Sequence, residues 1–320
     1  MLYLKALINK LAFLKSSLFN NDRKYYLGYV GRKNYGDDLL FEIFQLINNR
    51  EYIPVLDIFF FQKKIKANDL VLGGGTIING PIYLKSIQRF NVRPKLTFCS
   101  GVIPGEITNE WVASLRTTNV YTRSKESTEM CVKSGVSAKS YVDPGIYTSI
   151  LYPESNFSQK ESTKETYLLC PHGKYSSMNF FIELIESILS DKRKSVTLFA
   201  SSFEDLKVCT SLSSLFNLNV IKGWLDITES NKAICHADLV ISTRLHPSVV
   251  AASYGTPFFM ISYEEKQKEF LGSIGCSDRL FIESDEFINA LCMKNVKRGI
   301  TSGVEYWHKR YPDFIKIFGS

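Results

Sequence analysis

The sequence predicts an α/β protein made of two doubly wound domains with parallel sheets. Three observations carry that expectation. Short apolar, β-branched runs alternate with runs of helical period along most of the chain. A single polar stretch, 149–166, rich in Ser, Glu and Lys, interrupts the alternation as a linker would. Glycine loops, Arg123 and Asp143 on one side of it, and Arg244 and His246 on the other, stand where strands end, which is where open parallel sheets take their ligands. The carboxyl strand ends of the two domains are therefore expected to face each other across a cleft.

Whole-chain properties narrow the class. A length of 320 residues favours two domains, each able to bury a core. The formal charge of +7 is spread along the chain, not gathered in one basic tract. That argues against nucleic acid as a partner and suits anionic substrates or an anionic membrane surface. Seven cysteines, an odd number without a C-x-x-C pair, argue against a disulfide framework or a structural zinc site and point to a reducing cytosol. Cys99 and Cys170 lie in apolar runs and read as small buried residues. No apolar run is long enough to span a bilayer.

The domains are expected at 21–155 and 156–320, behind an amphipathic helix at 1–20. Residues 1–19 place Leu4, Leu7, Ile8, Leu11, Leu14 and Leu18 on one helical face, with Lys5 and Lys10 off it and Lys15 near its edge. Lysines interrupt any signal-peptide core. The segment reads either as an interfacial helix on anionic lipid or as a helix packing on the protein itself or a partner subunit.

In the first domain Arg23–Val30 reads as a strand, followed by the turn GRKNYGDD and a helix; the turn holds Asn34 and Asp37. Backbone N–H groups at such a helix start can meet an anion. A second strand is expected over Tyr52–Ile58. Asp69–Leu72 then runs into Gly73, Gly74 and Gly75, costly in chain entropy unless the backbone turns sharply or approaches something closely. Thr76 and Asn79 follow with polar groups. After a further strand in KLTFCSGV, the run NVYTRSKESTEMCVKSG gives a strand with Arg123 at its end, Ser124 as N-cap and Gly135 closing the helix. Asp143 precedes Pro144 at the end of another strand.

Beyond the linker, TYLLCPHG is a strand ending near His172, NFFIELIESILS a helix, SVTLFAS a strand and FEDLKVCTSLSSLF a helix. LNVIK and WLDITESNKAICHA continue the alternation. The run from Asp238 to Ser262 is a strand, a short helix closed by Gly255, and the next strand, with Pro247 suited to the first helical turn. Arg244 and His246 sit where its first strand ends. EEKQKEFLGSIG, RLFIES and DEFINALCMKN follow. The tail SGVEYWHKRYPDFIKIF reads as helical and able to fold back toward the first domain.

Together, NYGDD, VLGGGT, the Arg-Ser pair at Arg123, VDP at Asp143 and above all STRLH resemble the polysaccharide pyruvyltransferases, in the right order from about Gly28 to Ile261. Thr243, Gly145 and the loop CSGVIPG depart from the residues most frequent in that family. The resemblance implies two Rossmann-like domains similar to the B-type glycosyltransferase architecture. It implies transfer of the pyruvyl group of phosphoenolpyruvate onto two hydroxyls of a sugar, with no tightly bound cofactor or metal. By motif, Arg123, Arg244 and His246 match donor-binding and catalytic positions, with Leu245 between the last two, and Asp37 and Asp143 match functional acids. Gly74, Gly75 and Thr76 are the donor-side loop; His172 and Asn34 are acceptor-side candidates.

The chemistry suits these residue types. Phosphoenolpyruvate carries a carboxylate and a phosphate, which the planar fork of arginine grips in bidentate fashion. A histidine titrating near neutrality can protonate the vinyl carbon or shuttle a proton to phosphate, and a carboxylate can take the hydroxyl proton. The acceptor is expected to be a cell-surface polysaccharide or a lipid-linked oligosaccharide at the inner membrane face, reached by a cytoplasmic protein peripheral to that membrane. Two rivals remain open: a nucleotide-sugar-dependent glycosyltransferase on the same architecture, since fold does not decide chemistry, and a non-catalytic glycan-binding protein.

Overall fold

The computed structural model describes residues 23–55, 65–159, 163–284, 287–288, 291 and 297–319. The N-terminal helix expected at 1–19 and the end of the strand expected to reach Ile58 lie outside them. The chain divides into two compact units. Among the described residues one comprises Asp37–Pro144 with residues 23–32 and those from Pro312; the other comprises Gly145–Tyr311 with Lys33–Gly36.

In the first unit β1 (Lys24–Leu27), β2 (Tyr52–Val55), β3 (Asp69–Leu72) and β4 (Leu96–Thr97) form a parallel sheet in the order β2-β1-β3-β4. β5 (Val120–Thr122) and β6 (Ala138–Ser140) pair in parallel, and bridges Leu96–Asn119 and Ser100–Thr122 attach β5 to the β4 edge. Strand order therefore reverses between β1 and β3, the position at which such sheets bind ligands. Tyr25 and Leu27 face a core with Leu70, Leu72, Ile78 and Trp111. Tyr26 faces the other side, its ring 5.0 Å from Phe41 and 5.1 Å from Phe44. Both faces are buried, as a doubly wound sheet requires, and this is why these strands read as continuous apolar runs.

The tail is two helices, Ser302–Lys309 and Tyr311–Phe318, separated at Arg310. Phe318 packs on Phe98, Tyr121 and Tyr141 of the first unit, with ring centroids 5.3, 5.0 and 5.6 Å away. Asn48 Nδ2 donates to the Phe318 carbonyl at 2.9 Å. Burying an aromatic side chain of this size contributes roughly 1.5–3 kcal/mol.

In the second unit β7 (Glu165–Cys170), β8 (Lys194–Ala200), β9 (Asn219–Lys222), β10 (Leu239–Ser242), β11 (Phe258–Ile261) and β12 (Leu280–Phe281) form one parallel sheet in the order β12-β11-β10-β7-β8-β9. Counted from β7 this is the 3-2-1-4-5-6 order of dinucleotide-binding sheets, with its switch point between β7 and β10. The register sets Cys170 beside Ser242, so the loops carrying His172 and Arg244 leave from neighbouring strand ends.

Three expectations need correction. The polar stretch 149–166 does not separate the units; the division falls between Pro144 and Gly145, not at 155/156. The stretch begins inside a short helix, Thr148–Leu151. Ser253 Oγ donates to the Ile146 carbonyl at 2.7 Å, the Ser149 N–H donates to Ser253 Oγ at 2.9 Å, and Tyr254 Oη donates to the Tyr152 carbonyl at 2.6 Å. Polar bonds to the Leu245–Tyr254 helix hold the start of the segment. The first strand ends at Leu27, where Gly28 starts the loop, and only Leu96–Thr97 of KLTFCSGV is strand. The turn NYGDD is divided: Asn34 and Gly36 belong to the second unit, Asp37 and Asp38 to the first.

Candidate active site

In the first unit the candidate residues gather at the strand ends around the switch point. The three glycines after β3 are explained one by one. A Cβ on Gly73 would stand 2.5 Å from the Tyr26 ring, and one on Gly74 would stand 2.5 Å from Leu40 Cδ1. Gly75 has φ +81°, and a Cβ there would meet Asp37 Oδ1 at 2.5 Å. The Gly74 N–H donates to Tyr26 Oη at 2.9 Å. That commitment leaves Gly74 a packing residue in place of the donor-binding one expected; Gly75 is the glycine that meets a candidate acid.

Arg123 follows β5 and lies flat on Gly101, whose added Cβ would be 2.8 Å from Nη2. The same Nη2 donates to Thr76 Oγ1 at 3.1 Å. Thr76 and Arg123 are thus joined, and Gly75 and Asp37 are joined one residue earlier in that loop. Asp143 is 2% exposed, close enough to Cys99 to add to the effect of burial, which holds that thiol well above its usual pKa. Asp38, which accepts the Gly31 N–H at 2.6 Å, closes the loop after β1.

In the second unit, β10 ends in a turn fixed by its own side chain: Ser242 Oγ accepts the Arg244 N–H at 3.0 Å and donates to the Arg244 carbonyl at 2.7 Å. Thr243 Oγ1 donates to the Cys170 carbonyl at 3.0 Å. The helix begins at Leu245, with Pro247 in its first turn and Gly255 as a left-handed C-cap at φ 67°. Leu245 is 4% exposed and is a core residue, not a wall of the site.

The Arg244 guanidinium is not free to grip an anion with either edge. Its Nε donates to both Asp205 oxygens, at 3.1 and 2.9 Å, and its Nη2 reaches Asp205 Oδ1 and, at 2.8 Å, Ser202 Oγ. Glu204 lies 3.4 Å from Nη2. Asp205 is fully buried and accepts two more bonds, from the Gly173 and Ser202 N–H groups, each at 2.8 Å. Burial opposes the charge of Arg244, but the bonds and charge of Asp205 prevail and raise its pKa further. Asp205 therefore ties the loops after β7, β8 and β10 together. The sequence places it inside a helix; in the fold it is the N-cap residue, with the helix starting at Leu206. An acid just ahead of a helix at a strand end was the available signal.

His172, after β7, is 4% exposed. Its Nδ1 accepts the Lys174 N–H at 3.0 Å, which puts the proton of the neutral ring on Nε2. Burial, reinforced by Arg244, lowers its pKa to about 4. His172, Glu204 and Asp205 bring ligand atoms within 4.8 Å of one another, but the positive charge in this group is the guanidinium.

His246 meets the other half of the divided turn. A Cβ on Gly36 would stand 1.9 Å from His246 Nδ1, so only glycine lets the backbone lie against the imidazole. Asn34 Oδ1 accepts the Gly36 N–H at 3.1 Å. The Tyr35 N–H donates to the Ser201 carbonyl at 2.7 Å and Tyr35 Oη to Asn231 at 2.6 Å. These bonds hold the Lys33–Gly36 strap beside the β8 loop. Gly36, which no local pattern in the sequence marks, thus touches both Asn34 and His246.

The sheet orders and strand-end residues define a class: a two-unit Rossmann-like α/β protein of the B-type glycosyltransferase kind. The UDP-GlcNAc 2-epimerase of Methanocaldococcus jannaschii, solved with UDP-GlcNAc and UDP, is similar over 92% of this chain and 99% of its own, at 10% identity and a TM-score of 0.56. The MnaA structure of S. aureus with UDP is similar over 92% and 98%, at 10% identity and a TM-score of 0.55. Residues 34–265 match the family model of polysaccharide pyruvyl transferases, and the chain belongs to that family. It is a transferase whose family implies a polysaccharide acceptor. No curated protein matches the sequence.

Proposed function

We propose that this protein transfers the pyruvyl group of phosphoenolpyruvate onto two hydroxyls of one sugar in a cell-surface polysaccharide or its lipid-linked precursor. The observation that supports it most is the placement of Arg244 and His246 at the end of β10, beside the switch point, in a chain of this family. Arg244 meets a donor anion through Nη1, its Nε and Nη2 being held by Asp205 and Ser202. Arg123, with Thr76, offers a second anion contact in the first unit.

The reaction balances without a redox step. A proton adds to the methylene carbon of phosphoenolpyruvate, C2 becomes electrophilic, and a sugar hydroxyl oxygen bonds to it as its own proton leaves to a base. The C2–O bond to phosphate breaks, a second hydroxyl closes the ring, and its proton leaves with inorganic phosphate or to solvent. His246 is the proposed acid, a role of the kind that contributes ~10²–10⁴-fold. Asp37 or Asp143 is the base or the orienting group for the acceptor.

No described helix is long and apolar enough to cross a membrane. A lipid-linked acceptor would be met from the cytoplasmic side, with residues 1–19 lying on anionic lipid. The test is phosphate release from phosphoenolpyruvate with a panel of acceptor glycosides, the products read by mass spectrometry. A gain of one pyruvyl ketal is expected. Thermal stabilisation by UDP- or GDP-sugars but not by phosphoenolpyruvate would overturn the reading in favour of a glycosyltransferase.

A further inference from the structure

An aromatic group at the second unit's strand ends has no part in the account above. Tyr175, after β7, and Tyr263, after β11, stack with ring centroids 5.0 Å apart and planes 22° apart. His172 stands 4.7 Å from both rings. Tyr175 is 49% exposed. Lys174 places its ammonium 5.1 Å from the centre of the Tyr175 ring, and Lys266 does so 5.4 Å from that of Tyr263. The core gains little from an aromatic pair whose outer member is half in water. Tyr263 lies near enough to Arg244 to share its electrostatics, so the pair borders the candidate active site.

We propose that Tyr175 and Tyr263 form a binding platform for a pyranose ring that carries an acidic substituent. The inference rests on the transferase reading for its role as acceptor subsite, and on the side chains alone for its ligand class. A pyranose offers an apolar C–H face to an aromatic ring and hydroxyls around its rim. His172, neutral and with its proton on Nε2, is a donor that adds no charge. Lys174 supplies the charge that a carboxylate or phosphate substituent needs, Lys266 being paired with Glu264 at 2.6 Å. A cation over an exposed ring is only weakly held, so Lys174 can leave the Tyr175 face to the sugar and pair with its acid group instead.

The experiment titrates the full-length protein with methyl glucuronide, methyl glucoside and uridine monophosphate, reading dissociation constants by ligand-observed NMR. Tyr175→Ala is the test variant, and Tyr306→Ala, exposed elsewhere in the unit, the control. The glucuronide is expected to bind most tightly. Tyr175→Ala should weaken it by about tenfold and Tyr306→Ala should leave it unchanged. Equal affinity in Tyr175→Ala and wild type, or binding of the nucleotide but neither glycoside, overturns the platform. Glucuronide binding lost in Tyr175→Ala, with no phosphate release from phosphoenolpyruvate, keeps the platform and sinks the pyruvyl reading instead.

Discussion

Asp205, fully buried, holds one edge of the Arg244 guanidinium through both of its carboxylate oxygens. An arginine side chain has about 2 kcal/mol of rotamer entropy to lose when it is fixed. Here the folded protein has already fixed it, with two backbone N–H groups steadying the carboxylate in turn. The pair presents an aimed donor, not a free cation.

Asp205→Asn tests that arrangement. It keeps the size of the side chain but removes its charge, leaving Arg244 partly buried with weaker compensation and one amide N–H facing a donor. Breaking such a pair costs about 3–5 kcal/mol, and denaturant unfolding should show a loss of that order. Adding Arg244→Met should restore part of the stability but none of the transfer. If the double variant is no more stable than Asp205→Asn, the charge pair is not what Asp205 contributes.

Gly36→Ala isolates the contact with His246. The added Cβ falls 1.9 Å from His246 Nδ1, and the imidazole must move to admit it. Overpacking of this kind costs about 1–3 kcal/mol, so the variant should fold. Turnover should fall by at least about tenfold, because an acid displaced by an ångström loses its reach to the proton acceptor. Wild-type turnover in a folded Gly36→Ala protein would remove His246 from the proposed chemistry.

Much of the second unit is legible in the sequence because its central strands, β10 and β11, are buried on both faces and read as unbroken apolar runs. Arg244 and His246 were placed correctly at a strand end for the same reason. Asp205, Gly36 and Tyr263 were not singled out, and the causes differ. Asp205 acts on a residue 39 positions away and Gly36 on one in the opposite half of the chain, so no local pattern marks either. Tyr263 is one of seventeen tyrosines, and only the fold distinguishes it from the rest. The boundary lies elsewhere because a polar, exposed stretch need not be a linker: Ser253 accepts the Ser149 N–H and Tyr254 donates to the Tyr152 carbonyl.

Residues 1–19 carry three lysines, no acid and a leucine-rich face. Deleting them should weaken binding to vesicles containing anionic lipid while leaving turnover on a soluble acceptor within about twofold, since each basic residue near such a surface adds only ~1 kcal/mol and none is proposed to touch substrate. Co-sedimentation with the vesicles measures the first effect. Unchanged sedimentation favours a helix that packs on protein.

His172 should leave a pH signature in stability. Its pKa is about 4 in the folded protein against an ordinary 6.5, burial being the first cause and Arg244 the second. Between those values an unfolded chain binds a proton that the native protein refuses. Since stability rises with pH wherever the unfolded state holds more protons, it should fall as pH drops from 6.5 toward 4 and be flat with respect to this group outside that window. Burial also lowers the pKa of His308, so a second contribution of the same sign is expected. His172→Gln should therefore flatten the curve without abolishing its slope. Denaturant midpoints across pH 4.5–7.5 measure it; a slope unchanged by His172→Gln would mean that the fold does not lower the pKa of His172.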